Sequence, residues 1–179
     1  MRTGKIAKSI LIAATAILIL AVAASCGGGG KNEAKAQQPA QTTQVAGGKI
    51  SPIWIVSPMS GEAMTISMKE VGTVGMAHFK VPVGKGKPDL TFMAYNIDGK
   101  MQVRANVCVP CRSTSFTLDG DKLVCNACGT VFSATDGKGV SGPCKNYPKA
   151  SVDYQVSGDS IVMQMMDLQT AYDDTMKPG

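Results

Sequence analysis

The chain has 179 residues, enough for one domain and a terminal segment, and it contains a single His. Its 18 basic and 13 acidic residues give a net charge of +5, but three basic residues and no acidic one lie in the first 25 positions, which leaves +2 for the rest. So small a bias, without a basic run, argues against nucleic-acid binding. With one His in the chain, no Ser-His-Asp or Cys-His arrangement is convincing, and no catalytic residue is assigned.

Residues 1–25 have the pattern of an export signal. A basic start with Arg2, Lys5 and Lys8 precedes the uncharged run LIAATAILILAVAA and then small residues before Cys26. The ending AASC resembles the cleavage box of bacterial lipoproteins, in which the Cys becomes the lipidated first residue. An uncleaved N-terminal anchor is the alternative. Either interpretation predicts that the remaining chain lies outside the cytoplasm, tethered to a membrane surface.

Residues 26–49 form a separate segment. The run GGGGKNEAKAQQPAQTTQVAGGK that follows Cys26 offers almost nothing to bury. This composition predicts a flexible linker between the lipidated Cys26 and a domain formed by residues 50–179.

Residues 50–179 are predicted to be β throughout. In KMQVRANV, apolar residues alternate with polar ones, which is typical of a strand with one buried face. Strand-like runs are joined by Asp98-Gly99, by Asp119-Gly120-Asp121 and by Ser157-Gly158-Asp159, each a hairpin signal. We therefore expect an all-β fold, a small antiparallel sandwich or barrel, with Cys-bearing hairpin loops of Rieske-like or zinc-ribbon-like type. The tail MMDLQTAYDDTMKPG is expected to hold no more than a short helical turn.

Four of the domain's cysteines form two Cys-x-x-Cys pairs. Cys108 and Cys111 are separated by thirteen residues from Cys125 and Cys128. Two tight turns on neighbouring hairpin loops can direct four thiolates at one metal centre. The spacing fits a zinc ribbon, a mononuclear iron site or a small iron–sulfur cluster. Because the domain is predicted to be exported, structural disulfides and thiol–disulfide exchange are alternatives to a metal at this point.

The sequence around these pairs resembles a Rieske iron–sulfur domain. After the second pair, a Gly, an aromatic strand, a Gly-rich turn, a Gly-Pro loop and a closing hairpin follow in the Rieske order, and NIDGKMQVRANVCVPC matches its first half. Cys111 and Cys128 stand where a Rieske protein has His. His78 lies thirty residues before the first pair, which excludes a centre with two His and two Cys ligands.

Residues 62–170 resemble the FtrD-like family of membrane iron–sulfur proteins more closely. The matching parts are DGKMQVRANVCVPC, GDKLVCNACGTVF, SGPCKNYP and VSGDSIVMQMMDL. The resemblance implies an iron–sulfur cluster with Cys108, Cys111, Cys125 and Cys128 as ligands. It also implies an extracytoplasmic role in electron transfer or iron handling, since the family is associated with bacterial ferrous-iron transport.

Cys144 is the fifth cysteine of the predicted domain and lies in the turn SGPC. It is predicted to be an extra ligand, a redox thiol or a group beside the centre. The alternative is a free Cys that packs as a small apolar residue.

These features together predict a lipid-anchored electron carrier, rather than an enzyme, that serves a membrane partner in iron transport or respiration. Zinc is the alternative metal. The alternative functions are a structural zinc-ribbon or disulfide-stabilised interaction module, and a metallochaperone for iron or copper. The copper variant adds soft sulfur ligands near His78, namely Met59, Met64, Met68 and Met76.

Overall fold

The computed structural model describes residues 48–179. The predicted signal peptide 1–25, the predicted lipidation site Cys26 and nearly all of the linker 26–49 lie outside the described residues. Neither helix of the described part is long and apolar enough to cross a membrane.

The predicted antiparallel β fold is confirmed, with three sheets and two helices. The first sheet has the order β1-β8-β9-β10-β11, with β1 at Lys49–Ile50, β8 at Phe116–Asp119, β9 at Lys122–Cys125, β10 at Val131–Ser133 and β11 at Gly139–Ser141. The second has the order β2-β5-β6-β7, with β2 at Ile53–Trp54, β5 at Met76–Val81, β6 at Leu90–Ile97 and β7 at Lys100–Ala105. The third has the order β12-β13-β4-β3, with β3 at Met59–Ser60, β4 at Ala63–Ser67, β12 at Gln155–Ser157 and β13 at Ser160–Gln164. All strand pairs are antiparallel except β2 with β5.

The three predicted hairpins form, and their turn residues explain their register. Asp98 and Gly99 both have positive φ, 52° and 76°, so they form the two-residue turn that joins β6 to β7. The β8–β9 and β12–β13 hairpins pair Asp119 with Lys122 and Ser157 with Ser160, which leaves a Gly-Asp turn in each. These tight turns fix which face of each strand is buried.

The second sheet lies between two hydrophobic cores. On one face, Ala77, Phe79 and Val81 of β5 pack with the third sheet and both helices. On the other face, Met76 of the same strand packs with residues of the first sheet and with three cysteines. We call these the helix-side core and the sulfur-side core. The alternation along β5 follows from the two-residue period of a strand.

The two helices are the main departure from the sequence-based prediction. α1 spans Met68–Val74 and α2 spans Met165–Thr175, eleven residues rather than a short turn. Ser67 caps α1, because its side chain accepts a hydrogen bond from the N–H of Glu70 at 3.2 Å. The run AMTISM therefore leaves the strand at Ser67, and the chain enters a helix there instead.

His78 is buried on the sulfur-side face of β5 with neither ring nitrogen hydrogen-bonded. The ring of Trp54 meets it edge-on, with centroids 5.2 Å apart. Burial lowers the pKa of His78 to about 4, well below the ordinary value of 6.5. Between pH 6.5 and pH 4, His78 is therefore mostly protonated in the unfolded chain and mostly neutral in the folded chain.

We expect His78 to weaken the fold in acid. A group with a depressed basic pKa contributes stability above its unfolded pKa, and that contribution is lost as pH falls toward the folded value. The unfolding free energy of the wild type should fall between pH 7.5 and pH 4.5. In His78→Phe this fall should be smaller by about 2.5 kcal/mol, because Phe cannot bind a proton. Urea titrations of both proteins at the two pH values, under identical metal loading, measure this difference. Equal losses in the two proteins would contradict the assignment.

Candidate metal centre

The two Cys-x-x-Cys pairs lie on two equivalent turns. Residues 108–112 follow β7, and the N–H of Arg112 donates to the carbonyl of Cys108 at 2.6 Å. Residues 125–129 follow β9, and the N–H of Gly129 donates to the carbonyl of Cys125 at 2.9 Å. We call these the first and second knuckle. Each knuckle turns the chain back on itself within five residues, so its two thiols face the same side.

Each knuckle ends in a residue with left-handed backbone. Gly129 has φ 68°, and in the first knuckle Arg112 occupies the same position with φ 58°. A non-glycine residue there costs some backbone strain. The repeated conformation indicates that the turn itself, rather than the residue, is required to present the thiols.

Cys144 is brought to the second knuckle by a close approach of two loops. Its N–H donates to the Thr130 hydroxyl at 3.1 Å, and the Cys128 sulfur lies 3.1 Å from the same oxygen. A Cβ at Gly142, where φ is 102°, would lie 2.7 Å from the Cα of Thr130. Only glycine therefore permits this loop to pack here, and Thr130 then links the two cysteines.

All five domain cysteines meet in one place, which we call the five-thiol site. The Sγ atoms are 3.8 Å apart for Cys108 and Cys128, 3.7 Å for Cys111 and Cys125, and 3.7 Å for Cys128 and Cys144. These distances exceed the S–S bond length of about 2.05 Å, and all five thiols are free. One set of four lies within 4.8 Å of one another, and it comprises Cys108, Cys111, Cys128 and Cys144.

The structure therefore brings together all five cysteines that the sequence proposes for the metal centre or beside it. Cys125 touches Cys111 but lies outside the closest set of four, and Cys144 lies inside it. Cys108, Cys125 and Cys144 are buried, whereas Cys111 is exposed. The site is therefore shielded from solvent on the side of the sulfur-side core and exposed to solvent at the first knuckle.

The thiols differ in acidity. Burial raises the pKa of Cys108 far above its ordinary value. Partial desolvation by the neighbouring protein raises the pKa of Cys111, which is still exposed at the surface, to about 11. Burial also acts to raise the pKa of Cys128, but hydrogen bonds from the hydroxyl and the backbone N–H of Thr130 outweigh it and lower the value to about 6. The hydrogen bonds from Thr130 therefore make Cys128 ionise more readily than Cys108 or Cys111.

Lys149 places a positive charge in the wall of the site. Its side chain is 1% exposed, and Nζ lies 4.5 Å from the ring centroid of Phe132 and 5.9 Å from that of Phe116. Nζ donates to the carbonyl of Val107, the residue before Cys108, at 2.7 Å. Burial lowers the pKa of Lys149 to about 8, and the neighbouring cysteines act against that shift. The side chain therefore remains charged at neutral pH.

Arg104 holds this wall in position. Its guanidinium is 3% exposed and donates to the Tyr95 hydroxyl at 3.0 Å, the Lys149 carbonyl at 2.9 Å and the Thr135 carbonyl at 2.6 Å. Tyr95 in turn donates to the carbonyl of Ala134 at 2.8 Å. These bonds join β7, β6 and the loops around residues 135 and 149. Sequence analysis did not single out Arg104, Lys149 or Thr130.

Three of the four methionines considered for copper share one core, and the fourth, Met76, lies in the other. Met64 is buried in the helix-side core, and Met59 and Met68 pack against it. Met76 belongs to the sulfur-side core. The second sheet separates the two cores, so these residues act as core side chains rather than as a single ligand set.

A comparison with protein-family models identifies the chain. The model described as membrane iron-sulfur containing protein FtrD-like matches residues 71–174, which is more than half of the sequence and includes all five cysteines of the site. The chain belongs to the FtrD-like family. The resemblance inferred from the cysteine motifs is thereby confirmed.

Other comparisons add partial likenesses to this FtrD-like chain. A chain from the complex of reduced oxygenase and oxidized ferredoxin in carbazole 1,9a-dioxygenase is 21% identical, with a TM-score of 0.39, and the match covers 49% of this chain and 80% of that one. The Sphingomonas yanoikuyae B1 ferredoxin is 23% identical, with a TM-score of 0.38, and the match covers 48% and 83%. No curated protein matches the chain.

The donor set of the five-thiol site fits the iron–sulfur centre that the family description names. Iron–sulfur clusters are held by Cys thiolates, and the described residues offer five of these at one place. The surrounding apolar core limits water, while Thr130 N–H and hydroxyl groups reach the Cys128 sulfur. An iron–sulfur cluster is therefore the cofactor for which this site is built.

Proposed function

We propose that this FtrD-like protein is an extracytoplasmic, membrane-anchored electron carrier whose iron–sulfur cluster is held by Cys108, Cys111, Cys125 and Cys128. The observation that carries the proposal is the meeting of both knuckles at one site that is apolar behind and open at Cys111. Electron carriers need a centre that is enclosed enough to persist and close enough to the surface to reach a partner. No catalytic residue is assigned.

The choice of Cys125 over Cys144 as fourth ligand follows from the backbone. Cys125 and Cys128 share a pinned turn, as Cys108 and Cys111 do, so each knuckle offers two thiols from one rigid segment. Cys144 then lines the site as a buried thiol that contacts Cys128.

When bound, an iron–sulfur cluster supplies reversible one-electron chemistry. The chain's own residues do the rest. The knuckles position the thiolates, Thr130 stabilises negative charge on Cys128, and the rings of Phe116 and Phe132 exclude water from the inner side. The exposed Cys111, beside exposed Pro110 and Arg112, provides the surface through which a redox partner would exchange electrons.

The proposed location follows from the N-terminal sequence. Lipid on Cys26 and the linker up to residue 49 would hold the domain near a membrane, where the partner would belong to an iron-transport or respiratory system. We expect the wild type to incorporate labelled fatty acid and Cys26→Ser to incorporate none. No incorporation by the wild type, with residues 1–25 still attached, would indicate a peptide anchor instead of lipid.

Zinc is a second candidate occupant, because two of the sulfur distances also match those of a single tetrahedral ion. A tetrahedral zinc site with Zn–S bonds of about 2.3 Å places its sulfurs about 3.8 Å apart. Within the closest set of four, the Sγ atoms are 3.8 Å apart for Cys108 and Cys128 and 3.7 Å apart for Cys128 and Cys144, and all four lie within 4.8 Å of one another. This arrangement would use the closest set of four, with Cys144 in place of Cys125, and it would make the protein a structural interaction module.

Reversible reduction of the purified protein tests the proposed function. We expect visible absorption that bleaches on addition of dithionite and returns on reoxidation, with a single midpoint potential. A protein that carries iron but cannot be reduced and reoxidised would point to iron handling instead of electron transfer. A colourless protein with one zinc per chain would overturn the proposal.

A further inference from the structure

Lys149 is a buried cation without an acidic partner. The ion pairs formed within residues 48–179 are all at the surface, and none involves Lys149. Its one side-chain hydrogen bond is to a neutral carbonyl, that of Val107. A charged group removed from water is costly unless an opposite charge compensates for it. The fold must therefore obtain that compensation from another group, or gain something from the charge.

Thiolates are the anions available to Lys149. The ammonium lies over the rings of Phe132 and Phe116, which belong to the same sulfur-side core as Cys108, Cys125 and Cys144. Its hydrogen bond to Val107 holds it beside the first residue of the first knuckle.

The backbone around Lys149 is built to keep it there. Its N–H donates to the carbonyl of Gly137 at 2.8 Å, and its carbonyl accepts from Arg104 at 2.9 Å. A Cβ at Gly137, where φ is 75°, would clash with the Lys149 carbonyl. The backbone of Lys149 is thus fixed on both sides, and its ammonium is buried against two rings of the sulfur-side core.

We infer that Lys149 is the counter-charge of the metal centre and sets its reduction potential. This inference rests on the proposed function. Four thiolate ligands give the site a strongly negative charge, and each electron accepted from a donor adds one more negative charge. A fixed ammonium in a low-dielectric wall stabilises the reduced state more than the oxidised state. Lys149 thereby favours electron uptake without touching the metal.

Redox titration of three variants by visible absorption and electron paramagnetic resonance tests the inference. Lys149→Gln removes the charge while keeping a donor for Val107, Lys149→Arg keeps the charge, and Lys145→Gln removes an equal charge from an exposed residue next to Cys144. Removing the buried charge in Lys149→Gln should lower the equilibrium constant for one-electron reduction at least tenfold. This corresponds to a reduction potential that is lower by about 59 mV or more. Lys149→Arg should remain close to the wild type, and Lys145→Gln should shift much less because water screens it.

The outcomes separate this inference from the proposed function. A normal iron–sulfur spectrum with an unchanged potential in Lys149→Gln would overturn the inference and leave the electron carrier standing. Should Lys149→Gln lose its cluster, retention by Lys149→Arg would support the need for a charge. Loss from Lys149→Arg as well would show a packing role and overturn the inference. Should the wild type bind zinc instead, the proposed function fails, and chelator competition still tests whether Lys149→Gln weakens a thiolate site.

Discussion

Replacing Cys108 or Cys128 by serine is expected to abolish the metal centre. Cys108 is fully buried at the start of the first knuckle, and Cys128 is the most acidic of the thiols with a resolved pKa shift. Serine is not a thiolate, and it leaves the soft iron ions short of one sulfur ligand. Loss of a group that merely supports a metal ligand lowers metal affinity by up to about 100-fold. Loss of a ligand itself should lower the affinity for iron by at least that factor. Iron per chain and visible absorption after identical purification measure the effect.

Two further cysteine variants distinguish the ligand sets. Cys125→Ser should lose the iron–sulfur spectrum, whereas Cys144→Ser should retain it with a modest change in potential or stability. Both residues are buried and both changes remove one thiol, so each serves as the control for the other. The reverse pattern, with iron kept in Cys125→Ser and lost in Cys144→Ser, would assign the site to the closest set of four sulfurs and refute the paired-knuckle set.

Replacing Arg104 by Met is expected to destabilise the domain by about 3 kcal/mol or more. The change leaves the carbonyls of Lys149 and Thr135 without their buried donor and removes a donor to the Tyr95 hydroxyl. Met preserves the apolar stem, so the loss reflects the guanidinium. Denaturant unfolding of the metal-free protein gives this value without interference from ligand binding.

Arg112→Gln is the matched control for Arg104. Arg112 also carries one charge and lies in the first knuckle, but it is exposed and its side chain makes no hydrogen bond or ion pair within the described residues. Its loss should change the unfolding free energy by no more than about 0.5 kcal/mol. Similar losses in both variants would mean that net charge, rather than the buried network of Arg104, controls stability.

The parts of the fold that depend on short sequence spacing could be predicted. The Asp98-Gly99 turn requires positive φ at both positions, a conformation that Asp and Gly accept, so the β6–β7 hairpin followed from two residues. The knuckles followed for the same reason, because Cys-x-x-Cys with a following Gly129 describes a complete turn. The meeting of the two knuckles also followed, since each lies at the end of a hairpin.

The parts that depend on distant contacts could not be predicted. Lys149 lies in the run KNYPKAS, which has the composition of a surface loop, and its burial results from Gly137 and Arg104, 12 and 45 residues away in the chain. The alternation in KMQVRANV predicts that Arg104 faces solvent, but both faces of β7 are covered at this position. Helix α1 was missed although Ser67 and Glu70 form a recognisable N-terminal cap, because the preceding alternation AMTISM also fits a strand.

Iron and acid-labile sulfide analysis, combined with electron paramagnetic resonance, tests the central claim most directly. It should be performed on the exported, membrane-extracted protein, so that the metal acquired in its own compartment is measured. We predict iron with a matching amount of sulfide and a signal that appears or disappears on one-electron reduction. Stoichiometric zinc, no sulfide and no signal in either redox state would contradict the claim that this five-thiol site carries electrons.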